Sequence, residues 1–201
     1  DNTAKLINLM KETGLLFSLL PSPFSDWKKT SIHYNRLETI ISNPDLYFPR
    51  QNLSLPQKAL LKFALLLKEV DTNLFENSSN KDFGLPKTHY FLRNLKVSNN
   101  DIVFICKSIQ NFHFLSESIS SNLNDSSLYD ICITCGDKLL PGILLQACTL
   151  PFTDALKNIE DEILDSHTKI LNFYFLRYLP VLGEKALLNG DDLINIFNIA
   201  P

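Results

Sequence analysis

The segment SLPQKALLKFALLLKEVD, residues 54–71, constrains the fold more than any other part of the chain. Ser54, with Pro56 just inside, is a helix start, since the serine side chain can take a free amide and proline needs no amide partner there. From Ala59 to Leu67 the helix is apolar nearly all round. Such a helix must be covered on most sides by other elements. The covering elements are themselves predicted to be helices, because only six glycines occur and β-branched alternation is scarce. At 201 residues, 45% apolar and 20% charged, the chain is long enough for one sizeable core with an appendage. The expected fold is all-α, a helical bundle.

Around this helix the pattern divides at polar breaks. TAKLINLMKETGLLFSLL carries Leu6, Ile7, Leu9, Met10, Leu15 and Leu16 at helical spacing, with Gly14 at a stop and Pro21 and Pro23 beyond it. SDWKKTSIHYNRLETIISN gives a second helix, capped by Ser25 or Asp26 and carrying Ile32, Leu37, Ile40 and Ile41 on one face. ENSSNKDFG, residues 76–84, reads as a loop. THYFLRNLKVS and NNDIVFICKSIQNFHFL follow as helices, the second capped near Ser98 to Asn100. SNLNDSS, residues 121–127, is the candidate boundary between a body, 1–125, and a tail, 126–201. The tail holds a helix pair or kinked helix around Pro141, a long amphipathic helix over 154–179, and a short helix after the Asn189-Gly-Asp-Asp192 turn. A chain that opens on Asp1 and closes at Pro201, directly after a helical pattern, is expected to be a piece of a longer polypeptide.

A net charge of −3 excludes whole-chain attraction to nucleic acid, so any RNA contact must come from local clusters of the 19 Lys and Arg. Cys106, Cys132, Cys135 and Cys148 lie in apolar surroundings, which predicts reduced thiols and a cytoplasmic protein, the Asn-x-Ser triplets at Asn52, Asn77 and Asn124 being incidental. Lys62, Asp137, Lys138, Pro141 and Arg177 interrupt every apolar run before the roughly 20 residues that span a bilayer. No membrane partner is expected.

The residues capable of chemistry are sparse. Cys132-Ile-Thr-Cys135 has a CxxC spacing but neither a second ligand pair nor a strand beside it, so a buried structural pair is expected. His33, His89, His113 and His167 share no metal-ligand spacing. Glu69 and Asp71 are paired acids at a helix end, but Lys68 beside them points to a local ion pair. Arg93 and Lys96 are three apart in one helical pattern, with Lys87 upstream and Lys107 on the next helix, and such cations can grip phosphates. At Asn189 to Asp192 the aspartates are expected to cap the following helix.

Three separated segments resemble the C-terminal region of bacterial CCA-adding tRNA nucleotidyltransferases and their poly(A) polymerase relatives. LMKETGLLFSLLPSPF is similar to the phrase that precedes the family's helical body. RLETIISNPDLYF and KALLKFALLLKEVDT resemble the Leu-Glu helix and the LKLAALLHDIGKP helix of the HD-type body that some members carry. ALLNGDDLINIFNIAP resembles a phrase near the family's C-terminus and is the most specific of the three. Lys68 and Glu69 stand where the HD motif has its His-Asp metal ligands, and the motif's first histidine falls near Lys29 or His33. A protonated lysine coordinates no metal, so the resemblance implies a degenerate HD-like body in which Leu65, Leu66, Leu67 and Val70 serve packing alone.

The resemblance further implies that tRNA or an RNA 3′ region is the partner, together with a nucleotidyltransferase head of the same polypeptide. That head would hold the Mg2+, and no metal or other cofactor is expected in this chain. Contacts to phosphate are expected from Lys87, Arg93, Lys96 and Lys107, with Lys169 and Arg177 second. Whether the parent adds CCA, a single A or poly(A) is left open. Two rivals belong to other classes: a residual HD-type phosphohydrolase using His33, His89, His113 and Asp71, and a helical scaffold docking a protein through Phe173, Phe175 and Tyr178.

Overall fold

A computed structural model describes residues 3–20, 26–43, 53–71, 85–118, 123–150 and 157–182, with side chains from 164 onward in the last stretch. The expected loop at 76–84 and the Asn189 to Asp192 turn with its helix lie outside the described residues. Among the described residues the chain is all-α, without a strand.

Helix α1, Thr3–Glu12, stops at Gly14, whose φ of 75° is the left-handed conformation that glycine adopts without strain. A short α2, Leu15–Leu19, follows. Helix α3, Trp27–Ser42, starts at Asp26, whose carboxylate accepts the Lys29 amide at 3.1 Å. Thr30, His33, Tyr34, Leu37, Ile40 and Ile41 recur every three or four residues on its buried face. Helix α4, Leu55–Leu67, opens on a capping box in which Ser54 and Gln57 satisfy each other's amides. Leu61 and the run Ala64 to Leu67 are buried, while Lys58 and Lys62 keep part of its first half polar.

Helix α5, Pro86–Asn94, ends earlier than the sequence pattern predicts. The Val97 amide donates to the Leu92 carbonyl at 3.1 Å and the Lys96 amide to that of Arg93 at 2.9 Å, closing the helix with Lys96 in the left-handed region at φ 56°. Helix α6, Asn99–Ser118, begins at Ser98, whose hydroxyl takes the Asp101 amide at 3.2 Å. Asn124 caps α7, Asp125–Cys135, through the Ser127 amide at 2.9 Å. The expected kink falls at Gly136, φ 56°, and not at Pro141, which sits in the first turn of α8, Leu139–Thr149.

Every residue from Leu139 to Cys148 is buried, so α8 shares the centre of the bundle with α4. A Cβ on Gly142 would lie 2.7 Å from Asn111 Cβ, which shows how closely α8 crosses α6. Asn111 Nδ2 in turn donates to the Cys135 carbonyl at 2.9 Å, satisfying an acceptor at the end of α7. One apolar core runs from Ala4 to Tyr174 and includes side chains on both sides of residue 125. The stretch Asp125–Thr149 is long and apolar enough to cross a membrane by length and composition, and most of it is buried by neighbouring helices.

Helix α9, Lys157–Phe173, widens into a π turn over Tyr174–Tyr178 before a last α-helical turn, Leu179–Leu182. Pro180 explains the widening: it has no amide to donate, and its ring would clash with the carbonyl of the preceding turn.

Candidate functional site

Two polar clusters interrupt the core, and α3 and α4 contribute to both. The first surrounds Glu38. Its Oε1 accepts the Thr3 amide at 2.8 Å and Lys62 Nζ at 2.9 Å, and it also takes the Thr3 hydroxyl. Its Oε2 accepts the Ala4 amide at 3.3 Å. Lys62 Nζ also donates to Thr3 Oγ1 at 2.9 Å, and the Tyr34 hydroxyl meets the same oxygen at 3.0 Å. Glu38 thus caps α1 from another helix, a role that carboxylates fill well beside free amides. Burial pushes the Glu38 carboxyl up, but the hydrogen bonds from Thr3 and Lys62 outweigh it and hold the group below the ordinary range.

The second cluster lies where α4 ends. Lys68, the C-cap residue, is 7% exposed, and its ammonium pairs with Glu69 Oε1 at 2.8 Å and lies 5.7 Å from the centre of the Phe112 ring. The Lys68 carbonyl faces His113 Nε2 at 3.3 Å. On α3, Lys29, His33 and Arg36 follow at helical spacing on one side. Arg36 reaches the Leu150 carbonyl just beyond α8, and Cys148 closes the inner side with no exposed surface.

His33 is 4% exposed, and its Nδ1 is buried without a hydrogen-bond partner among the described residues. Burial, with Lys68, Lys29 and Arg36 nearby, lowers its pKa to about 4 against the weaker pull of Glu69, so the ring is neutral at pH 7. His113 is likewise lowered by burial. Burial pushes the Cys148 thiol up to about 12, which leaves it uncharged.

The expected ion pair between Lys68 and Glu69 is present, and Asp71 takes no part in it. Asp71, 1% exposed, accepts the Thr88 amide at 2.9 Å and the Lys87 amide at 3.3 Å, so it caps α5 across the chain. His33 and His113 come together around Lys68, whereas His89 is exposed on α5. Among the described residues, no group of three or more His, Cys, Asp or Glu side chains is placed to hold a metal ion. Cys132 and Cys135 are buried free thiols, pushed by burial to about 11 and about 12. His167, fully buried, bonds Gln146 Oε1 through Nε2 at 2.9 Å.

The cations predicted to meet RNA separate into two kinds. Lys87, Arg93, Lys96 and Lys107 are exposed, and among the described residues none of them forms an ion pair. Lys169 pairs with Asp165 at 2.9 Å and Arg177 with Asp125 at 2.8 Å. Arg93 and Lys96 do not share a helical face, because α5 ends before Lys96. Lys87 and Arg93 lie on α5 roughly 120° apart around its axis.

Sequence reasoning missed the Glu38 network and the Asp71 cap. A signal for the first existed, since Lys62 is a charge within an apolar helix and a buried charge requires a partner. No family model, no curated protein and no solved structure matches this chain.

Proposed function

We propose that the chain is the RNA-binding helical region of a protein of the tRNA nucleotidyltransferase and poly(A) polymerase type, in which the helices hold tRNA or an RNA 3′ region for a catalytic head. The observation that carries the reading is the set Lys87, Arg93, Lys96 and Lys107, exposed along α5, the turn after it and α6 and without an ion pair among the described residues. Exposed cations without acid partners are available to phosphates, whereas Lys169 and Arg177 must first release Asp165 and Asp125. The reading of the body draws support from α4, whose apolar run is buried and whose end places Lys68 and Glu69 within electrostatic reach of His33.

The test is tRNA binding at two salt concentrations by the wild-type chain and by Arg93→Ala with Lys107→Ala. Loss of two phosphate contacts should weaken binding evenly across tRNA sequences and reduce the slope of log affinity against log salt by roughly 1.4–1.8. An unchanged affinity and slope in the folded variant would remove this surface from RNA binding. A second reading, a scaffold that docks a protein, is favoured by the exposure of Leu176, Leu179, Val181 and Leu182 after the π turn. Absence of tRNA binding at both salt concentrations would leave that reading ahead.

A further inference from the structure

We propose that α1 is a hinged strap, a helix that lifts off the bundle as one unit about Gly14 while the rest stays folded, with Glu38 as the latch that holds it down. The proposal does not depend on the RNA reading. Packing gives α1 little of its hold. In ten residues it buries one side chain, Ala4, with Ile7 partly buried against the core. Leu6 and Leu9 are each 55% exposed and add little to docking. The polar bonds gather at one end instead. Glu38 accepts the Thr3 amide at 2.8 Å, the Ala4 amide at 3.3 Å and the Thr3 hydroxyl, while Lys62 and the Tyr34 hydroxyl meet Thr3 Oγ1. Beyond that first turn, the one side-chain bond from α1 to the bundle among the described residues runs from Ser31 Oγ to Asn8 Oδ1 at 3.3 Å.

The far end of α1 is finished by its own neighbours. The Thr13 hydroxyl donates to the Leu9 and Met10 carbonyls at 3.0 and 3.1 Å, and the Gly14 amide donates to the Lys11 carbonyl at 3.0 Å. Across the junction the Ser18 amide donates to the Gly14 carbonyl at 3.2 Å. Rotation about the N–Cα bond of Gly14 leaves its amide with α1 and its carbonyl with α2, so it breaks none of these bonds. Gly14 has the freedom for such a rotation, since its φ is 75° and a Cβ there would meet nothing within 4 Å. A helix hinged at its last turn and latched at its first, with one small side chain buried between, opens at a lower free energy than the core around it. Lifting α1 uncovers the Tyr34 phenol, the Glu38 carboxylate and the Lys62 ammonium on α3 and α4.

The experiment is backbone hydrogen exchange in the whole chain, comparing the amides of Ile7 to Glu12 in α1 with those of Leu144 to Cys148 in α8, for wild type, Ile143→Val and Glu38→Gln. In wild type the α1 amides should share one level of protection, lower than that of α8. Ile143 is fully buried on α8, which packs on α3, α4 and α6. Ile143→Val should therefore speed exchange in α8 by roughly two- to twelvefold. It should leave α1 unchanged, because the core is intact whether the strap is down or lifted. Glu38→Gln should speed exchange evenly from Ile7 to Glu12 by roughly tenfold, the weight of a hydrogen bond to a charged group. Protection that rises step by step from Ile7 to Glu12, with the effect of Glu38→Gln confined to the first of these amides, would mean fraying from the chain end and would overturn the strap. Equal acceleration of α1 and α8 in Ile143→Val would overturn it as well, by tying the release of α1 to global unfolding. Ile143→Val removes a single methyl group, so that comparison decides the matter even if Glu38→Gln fails to fold.

Discussion

Lys62 and Lys68 belong to the same helix region and are both largely buried, yet their surroundings differ in kind. Lys62 ends in a closed network: Glu38 and Thr3 take its ammonium, and Glu38 takes two amides of α1. Donors and acceptors there match one another, and the cluster's effect is to fasten α1 to the bundle. Lys68 ends in a pair with Glu69, and His33, on which its charge acts, keeps a buried Nδ1 without a hydrogen-bond partner among the described residues. The lesson is that burial of a lysine says little by itself. A matched network stabilises the fold, whereas a buried polar atom left without a partner subtracts from that stability.

The largest effect should come from breaking the matched cluster. Glu38→Ala leaves the Lys62 ammonium and the Thr3 and Ala4 amides without their acceptor, and urea unfolding should show a loss of about 3 kcal/mol, the low end for a broken buried pair. Lys62→Met should cost less, about 2 kcal/mol, because Glu38 retains its bonds from α1. The pH dependence sharpens the contrast. Glu38 is depressed in the folded state, so its contribution is present above the ordinary carboxyl value and is lost as pH falls through the folded value. His33 acts over a higher window. Its folded pKa is about 4, so the unfolded chain binds the extra proton first, and stability falls as pH drops from about 6.5 towards 4. His33→Gln should reduce the loss of stability between pH 7 and pH 5 in denaturant titrations, leaving the shares of His113, also lowered by burial, and of His167, lowered to about 4. The smallest effect should be that of Lys68→Met. An apolar side chain of similar length fits a buried position, and Glu69 can turn to water, so unfolding should change by less than about 1 kcal/mol.

The fold was largely legible because its signals are local. Gly14, Asp26, Ser54 with Pro56, and Ser98 each mark a helix end by backbone chemistry, and each does so in the structure. The end of α5 was not legible. A Lys in the left-handed conformation at position 96 carries no glycine signal, so LRNLKVS reads as continuous helix. The π turn at Tyr174 was equally hidden, since the pattern over 154–179 reads as regular helix, and the helix runs on past Pro180 to Leu182. Of the candidate site, the Lys68–Glu69 pair could be read because its partners are adjacent. Glu38 with Thr3 and Asp71 with Thr88 could not, because these pairs are made by segments that only folding brings together.

The difference between the two lysines is tested most directly by measuring urea-unfolding free energies of wild type, Lys62→Met and Lys68→Met side by side. Lys62→Met should fall about 2 kcal/mol below wild type, because the buried Glu38 carboxylate loses its ammonium partner. Lys68→Met should stay within about 1 kcal/mol of wild type. Equal losses in the two variants, or a larger loss in Lys68→Met, would contradict the distinction between them.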